Sequence, residues 1–230
     1  MKDKEHILGL LGLALLIFGC QRALMFTPPE THMQDVQRIF FIHVPTAWNT
    51  MLIPTVAFFL AIGALVKRSR KWDAGIEAAC EVTVLFTCMT LIQGMIWGRP
   101  TWGAYWDWDP RLTTTAIMAV LFAGVLSVRS FAASPEQKIT WTAVATIIAY
   151  VDVPIVYKSV EWWDSLHQKH SAPATVSVDY YLPLRVNAFA ILFIWIWLVI
   201  RRSRVALLRD AATTAAAGTP TGTGLVAGDA

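Results

Sequence analysis

Charge is scarce in this sequence. Of 230 residues, 15% are Asp, Glu, Lys or Arg, against roughly 25% in soluble domains. A chain that is 56% hydrophobic, with mean hydropathy +0.50, cannot build a water-facing surface from so little charge. Cysteine is scarce too. Cys20, Cys80 and Cys88 are far apart and lie inside apolar runs, which argues against a disulfide framework or a thiolate metal site. The net charge is only +3, and no Lys/Arg block interleaves with aromatics in a polar context, so nucleic acid is excluded as a partner. No nicotinamide or flavin motif appears, and no inverted repeat of the transporter type is visible. What is plentiful is tryptophan, with 11 residues.

A membrane-crossing helix needs about 20 mostly apolar residues. Six stretches meet or approach this length: 7–26, 44–66, 74–96, 113–131, 139–157 and 184–200. The first lacks a small-residue cleavage site and is read as a retained helix rather than a signal peptide. At the end of the last, Trp195, Trp197, Arg201 and Arg202 resemble an interface anchor. The fold class is therefore an all-α membrane protein with six transmembrane helices. Twelve of the 19 Lys and Arg residues fall on the side that holds both termini and the segments 67–73 and 128–138. The positive-inside rule makes that side cytoplasmic. Residues 1–209 form one membrane domain, and the Ala/Thr/Gly-rich tail, 210–230, is expected to be disordered.

The three outer loops are then about 27–43, 97–112 and 158–183. The middle loop carries Trp97, Trp102, Tyr105, Trp106 and Trp108, with Gly98, Pro100, Gly103 and Pro110 breaking regular helix. In an extended stretch Trp102, Trp106 and Trp108 would face one way, and Tyr105, Asp107 and Asp109 the other. An aromatic belt at the membrane surface would scatter such rings over helix ends rather than gather them in one loop. His43 lies at the mouth of the second span, just before Pro45. Read as an amphipathic surface helix, the segment from Val160 to Gln168 puts Val160, Trp163 and His167 on one face. Two histidines flanking a tryptophan shelf suit a heme, because histidine is the usual axial ligand and a porphyrin stacks on aromatic rings. His170 ranks behind His167, and His32 and His6 have no suitable aromatic neighbours. Arg22, Arg99, Arg111 and Arg185 offer cations for heme propionates. An equal alternative to the propionate role is that Asp152 simply pairs with Arg22 or Arg185. Glu77 and Glu81, an i,i+4 pair near the cytoplasmic end of the third span, carry no functional assignment.

The stretch from Trp97 to Thr113, WGRPTWGAYWDWDPRLT, resembles the tryptophan-rich WWD motif of the heme-handling protein family. Within that family it is similar to the heme exporter protein C members, CcmC, of the cytochrome c maturation system. Phe41-Ile42-His43-Val44-Pro45 and the segment Ser159–Gln168 resemble that family's two histidine segments, and the likeness runs from about residue 7 to 204. It implies heme b held transiently at the periplasmic face of the bacterial inner membrane, with His43 and His167 as axial ligands and the WWD loop beside them. It implies delivery to a periplasmic heme chaperone, CcmE, with a small membrane protein, CcmD, and an ABC-type complex, CcmA with CcmB, as further partners. Asp107 and Asp109 would order the loop or meet the chaperone. The chain is expected to bind and deliver rather than catalyse. A transporter of heme or another solute is the alternative, but its site belongs near the midplane. A b-type cytochrome would place facing histidines within its spans.

Overall fold

The computed structural model describes residues 4–167 and 176–217. Seven α-helices run in the order α1 (Lys4–Met25), α2 (Phe40–Lys67), α3 (Arg70–Trp102), α4 (Pro110–Val128), α5 (Pro135–Tyr150), α6 (Asp152–Trp162) and α7 (Val178–Ala217). Short 3-10 turns precede α2 and follow α4. Six segments are long and apolar enough to cross a membrane, with α5 and α6 together forming the fifth. The helices are longer than the apolar runs because their ends extend through charged and aromatic residues.

Local chemistry sets the helix ends. Arg68 enters the left-handed region at φ 45° and gives its N–H to the Ala64 carbonyl, which stops α2. Ser69 then caps α3 and accepts from the Lys71 N–H, so α2 and α3 turn back on each other within two residues. Asp109 and Ser134 cap α4 and α5, each followed by a proline at the first helical position. Gly103, at φ 85°, closes α3.

The core uses small side chains. Ala57, Ala61, Ala64, Ala79 and Cys80 let α2 and α3 approach closely, with Met118 and Phe122 of α4 filling the remaining space. Buried threonines at 46, 50, 83, 87, 142 and 146 return their hydroxyls to carbonyls four residues earlier. α1 packs along α7. A Cβ at Gly19 would fall 2.0 Å from Asn187 Oδ1, so only glycine fits there. Asn187 in turn donates to the Phe41 carbonyl at 2.6 Å. Trp195 is buried and donates to Asn49 Oδ1 at 2.7 Å. It is therefore a core residue tying α7 to α2, not part of an interface anchor.

The end of the bundle that bears Lys67–Lys71 holds a charge network. Arg129 reaches Asp73 at 2.6 Å and Glu77 at 2.7 Å, all three nearly inaccessible. Arg209 also reaches Glu77, at 2.7 Å, and Arg202 grips Glu81 with two bonds of 2.6 and 2.7 Å. Arg70 bridges Asp73 and Asp210. Glu77 and Glu81 thus join the third span to the fourth and the last.

Three further expectations change. α6 ends at Trp162, and Trp163 is extended (φ −127°, ψ 160°), so no amphipathic helix carries Val160 through His167. α3 continues through Gly98 and Pro100 to Trp102, leaving only residues 103–109 as a loop. α7 continues to Ala217, because Asp210-Ala-Ala-Thr-Thr-Ala-Ala-Ala is rich in the best helix former. The rest of the tail and His170 lie outside the described residues.

Candidate functional site

His43 and His167 line one cavity of about 440 Å³. His43 is the fourth residue of α2, roughly 36 Å along that helix from Lys67 at 1.5 Å per residue. The cavity therefore lies at the opposite end of the bundle from the charge network. Its size falls within the ~300–1,000 Å³ typical of small-molecule sites.

Each histidine is braced by a tryptophan. The His43 and Trp97 ring centroids are 5.6 Å apart at 71°. Those of His167 and Trp102 are 4.8 Å apart at 66°. Both tryptophans come from the last turns of α3, five residues apart, and both line the cavity. His43 also faces Gly94, one turn before Trp97. A Cβ there would lie 3.2 Å from His43 Cε1.

His167 reaches the cavity through Asp109. Asp109 Oδ1 lies 2.9 Å from His167 Nδ1, and Oδ2 accepts from Ser165 Oγ and the Leu166 N–H, both at 2.7 Å. Oδ1 also accepts from the Arg111 N–H at 2.8 Å as the α4 cap. One carboxylate thus starts a helix, folds residues 165–167 onto it and orients an imidazole. Burial alone would raise the Asp109 pKa. The bonds from Ser165, Leu166 and Arg111 and the nearby His167 outweigh it and hold the carboxyl below its usual range. Burial pushes His167 below its ordinary value, against the opposing pull of Asp109. At neutral pH His167 is therefore a neutral imidazole whose Nδ1–H donates to Asp109, leaving Nε2 for a ligand.

Arg111 also lines the cavity and is fixed by the Tyr157 carbonyl at 3.1 Å and Ser159 Oγ at 3.5 Å. Arg99 and Arg185 do not line it. Arg99 turns back to the Gly103 carbonyl and the Tyr105 ring, and Arg185 lies over Tyr181 at 5.0 Å. Arg22 lies over Phe26, and Asp152 Oδ2 is buried with no hydrogen-bond partner among the described residues, so the expected Asp152 pairs do not form. The tryptophan shelf is divided. Trp97 and Trp102 face the cavity, while Trp106 and Trp108 pack edge-on against each other at 5.7 Å, and Trp108 is 79% exposed. Tyr105 and Asp107 are exposed as well. His32 is exposed and His6 lies beside Trp197, both away from the cavity.

Sequence reasoning missed Gln37, Trp48 and Gly94 as cavity residues. Gln37 Oε1, His43 Nδ1 and Trp97 Nε1 are buried without hydrogen-bond partners among the described residues. Unsatisfied polar atoms are costly in a native interior, and three on the walls of one cavity mark a place built for a ligand.

The class these features define is a multi-spanning helical membrane protein with a two-histidine, tryptophan-walled cavity at one end. The sequence profile of the family described as Heme exporter protein C matches residues 2–217. The chain belongs to that family. It is 32% identical over 199 residues to the Heme exporter protein C of Bradyrhizobium diazoefficiens, covering 85% of this chain and 75% of the relative. It is 32% identical over 209 residues to that of Haemophilus influenzae, covering 89% and 85%. Against that of Escherichia coli K12 the identity is 30% over 206 residues, covering 87% and 82%.

Proposed function

We propose that this chain binds heme b at the periplasmic face of the bacterial inner membrane and presents it to a heme chaperone of the CcmE kind during cytochrome c maturation. His43 and His167 are the axial ligands, Trp97 and Trp102 hold the ring edges, and Arg111 meets a propionate. The carrying observation is the pair of imidazoles, each braced edge-on by a tryptophan, lining one cavity. Two imidazoles are too few to fill an ion's coordination sphere alone. An iron already held in a macrocycle needs only those two. The Heme exporter protein C name of the relatives agrees with this cargo.

The chain's own part is binding, orientation and release rather than catalysis. Asp109 fixes the His167 tautomer, and the neutral imidazole can let its ligand go without a proton being supplied. The exposed Trp108, Tyr105 and Asp107, with the half-buried Trp106 packed against Trp108, form the surface on which the chaperone docks. CcmD and the CcmA–CcmB complex act with the loaded chaperone. The excess of Lys and Arg at the charge-network end supports a cytoplasmic position for that end. A reporter fused after Lys71 stays cytoplasmic, and one inserted at residues 103–109 is exported.

A transporter is disfavoured by the position of the histidines, since His43 sits in the first turn of α2 and His167 lies beyond the end of α6, although the cavity itself reaches inward to Met51 and Met118. Purified chain loaded with heme and mixed with apo-chaperone tests the proposal. Heme passes to the chaperone from the wild type. A bound heme that never leaves would mark an electron carrier instead.

A further inference from the structure

We propose that the groove between α2 and α6 is a lateral portal through which a tetrapyrrole enters the His43–His167 cavity from the bilayer. This rests on the heme reading above and adds the route. The groove encloses about 400 Å³ and is apolar. Trp48, Met51 and Tyr157 line both it and the histidine cavity, so the two spaces meet at those side chains. Its outer lip is open on the side of the bundle, with Leu52 48% exposed and Tyr157 44% exposed.

The groove lies where the fifth span is kinked, with Val151 still in the helical region at φ −56°, ψ −29°. The chain turns at Val151 between α5 and α6, and Pro154 follows within the first turn of α6 without an N–H to donate. Toward the Lys67 end the groove is closed. Tyr150 stacks on Phe58 with centroids 4.5 Å apart, and its hydroxyl receives Thr55 Oγ1 at 3.3 Å. Among the described residues, those lining the groove carry no charge. At its inner end lies Arg111, held to the Tyr157 carbonyl at 3.1 Å. A flat apolar ring bearing carboxylates matches this sequence of surfaces: aromatic walls first, a guanidinium next, imidazoles last. A lipid tail matches only the first.

The test uses the full chain in lipid vesicles, with hemin dissolved in the bilayer, and compares wild type with Leu52→Trp and Thr55→Trp. Both positions belong to the groove and not to the histidine cavity. Filling the groove should slow growth of the heme band in vesicles by about tenfold or more, the effect of overpacking a fitted space. The final band for hemin added in detergent should equal that of wild type. Leu52 is exposed, so its variant serves should Thr55→Trp fail to fold. Wild-type loading rates in the folded variants would overturn the portal and leave a lipid tail as the groove's occupant. A wild-type chain that acquires no His43-dependent band would overturn the heme reading, and the portal with it.

Discussion

Asp109 and His167 are 58 residues apart in sequence and joined by a 2.9 Å contact between Oδ1 and Nδ1. The same carboxylate caps α4, so the start of the fourth span and the orientation of the imidazole are one structural event. Replacing a partner of this kind behind a metal ligand typically costs about 10–100-fold in affinity. Asp109→Asn should weaken heme retention by that amount, measured by hemin titration, while Asp107→Asn leaves it unchanged.

The pH behaviour follows from the same pair. Burial places the His167 pKa below 6.5 in the folded protein, although Asp109 opposes the shift. A depressed value favours the neutral ring when folded. That contribution to stability is present above pH 6.5 and is lost as pH falls through the folded value. NMR titration of the imidazole in apo protein should show His167 titrating below pH 6.5. Asp109→Asn removes the opposing pull and should move the titration to still lower pH.

Gly94 sets the room available to His43. A methyl 3.2 Å from His43 Cε1 forces the imidazole to shift by a few tenths of an ångström. Gly94→Ala should fold, judged by membrane abundance, yet bind heme with an altered visible spectrum. Gly124→Ala, where nothing lies within 4 Å, should change neither.

The tryptophans divide by task. An aromatic contact contributes roughly 0.5–1.5 kcal/mol beyond burial, so Trp97→Ala or Trp102→Ala should loosen heme by up to about tenfold. Trp108→Ala should leave binding intact and reduce loading of the chaperone, since that ring is exposed and away from the cavity. Equal heme binding and equal chaperone loading in all three would remove both roles.

At the other end, Arg129 answers two buried carboxylates, Asp73 and Glu77. Removing one partner of a buried network leaves uncompensated charge, at a cost of about 3–5 kcal/mol. Arg129→Met should lower the thermal midpoint and membrane abundance sharply. Heme affinity per folded molecule should stay unchanged, because the network lies far from the cavity.

The spans were legible because apolar runs of the needed length are a direct signature of the bilayer. His43 and His167 were legible because histidine beside clustered tryptophan is unusual chemistry for a loop. The helical face proposed for His167 was not what positions it, since α6 ends at Trp162 and Asp109 captures the following loop. A local signal for that capture existed in Asp109-Pro110, the cap-and-first-turn pair, but its second duty spans 58 residues. The partition of the tryptophans was hidden because α3 absorbs Pro100 and carries Trp97 and Trp102 inward on one helix. The partners of Glu77 and Glu81 were equally hidden, being contributed by the 3-10 turn after α4 and by α7, from 52 to 132 residues away.

The central claim is that one heme iron is held between His43 and His167. Resonance Raman and electron paramagnetic resonance spectra of the heme-loaded chain test it most directly. The account predicts a six-coordinate, low-spin, bis-histidine iron in the wild type. His43→Ala and His167→Ala should each lose that signature and regain a ligand when imidazole is added. An unchanged six-coordinate spectrum in either variant would contradict it.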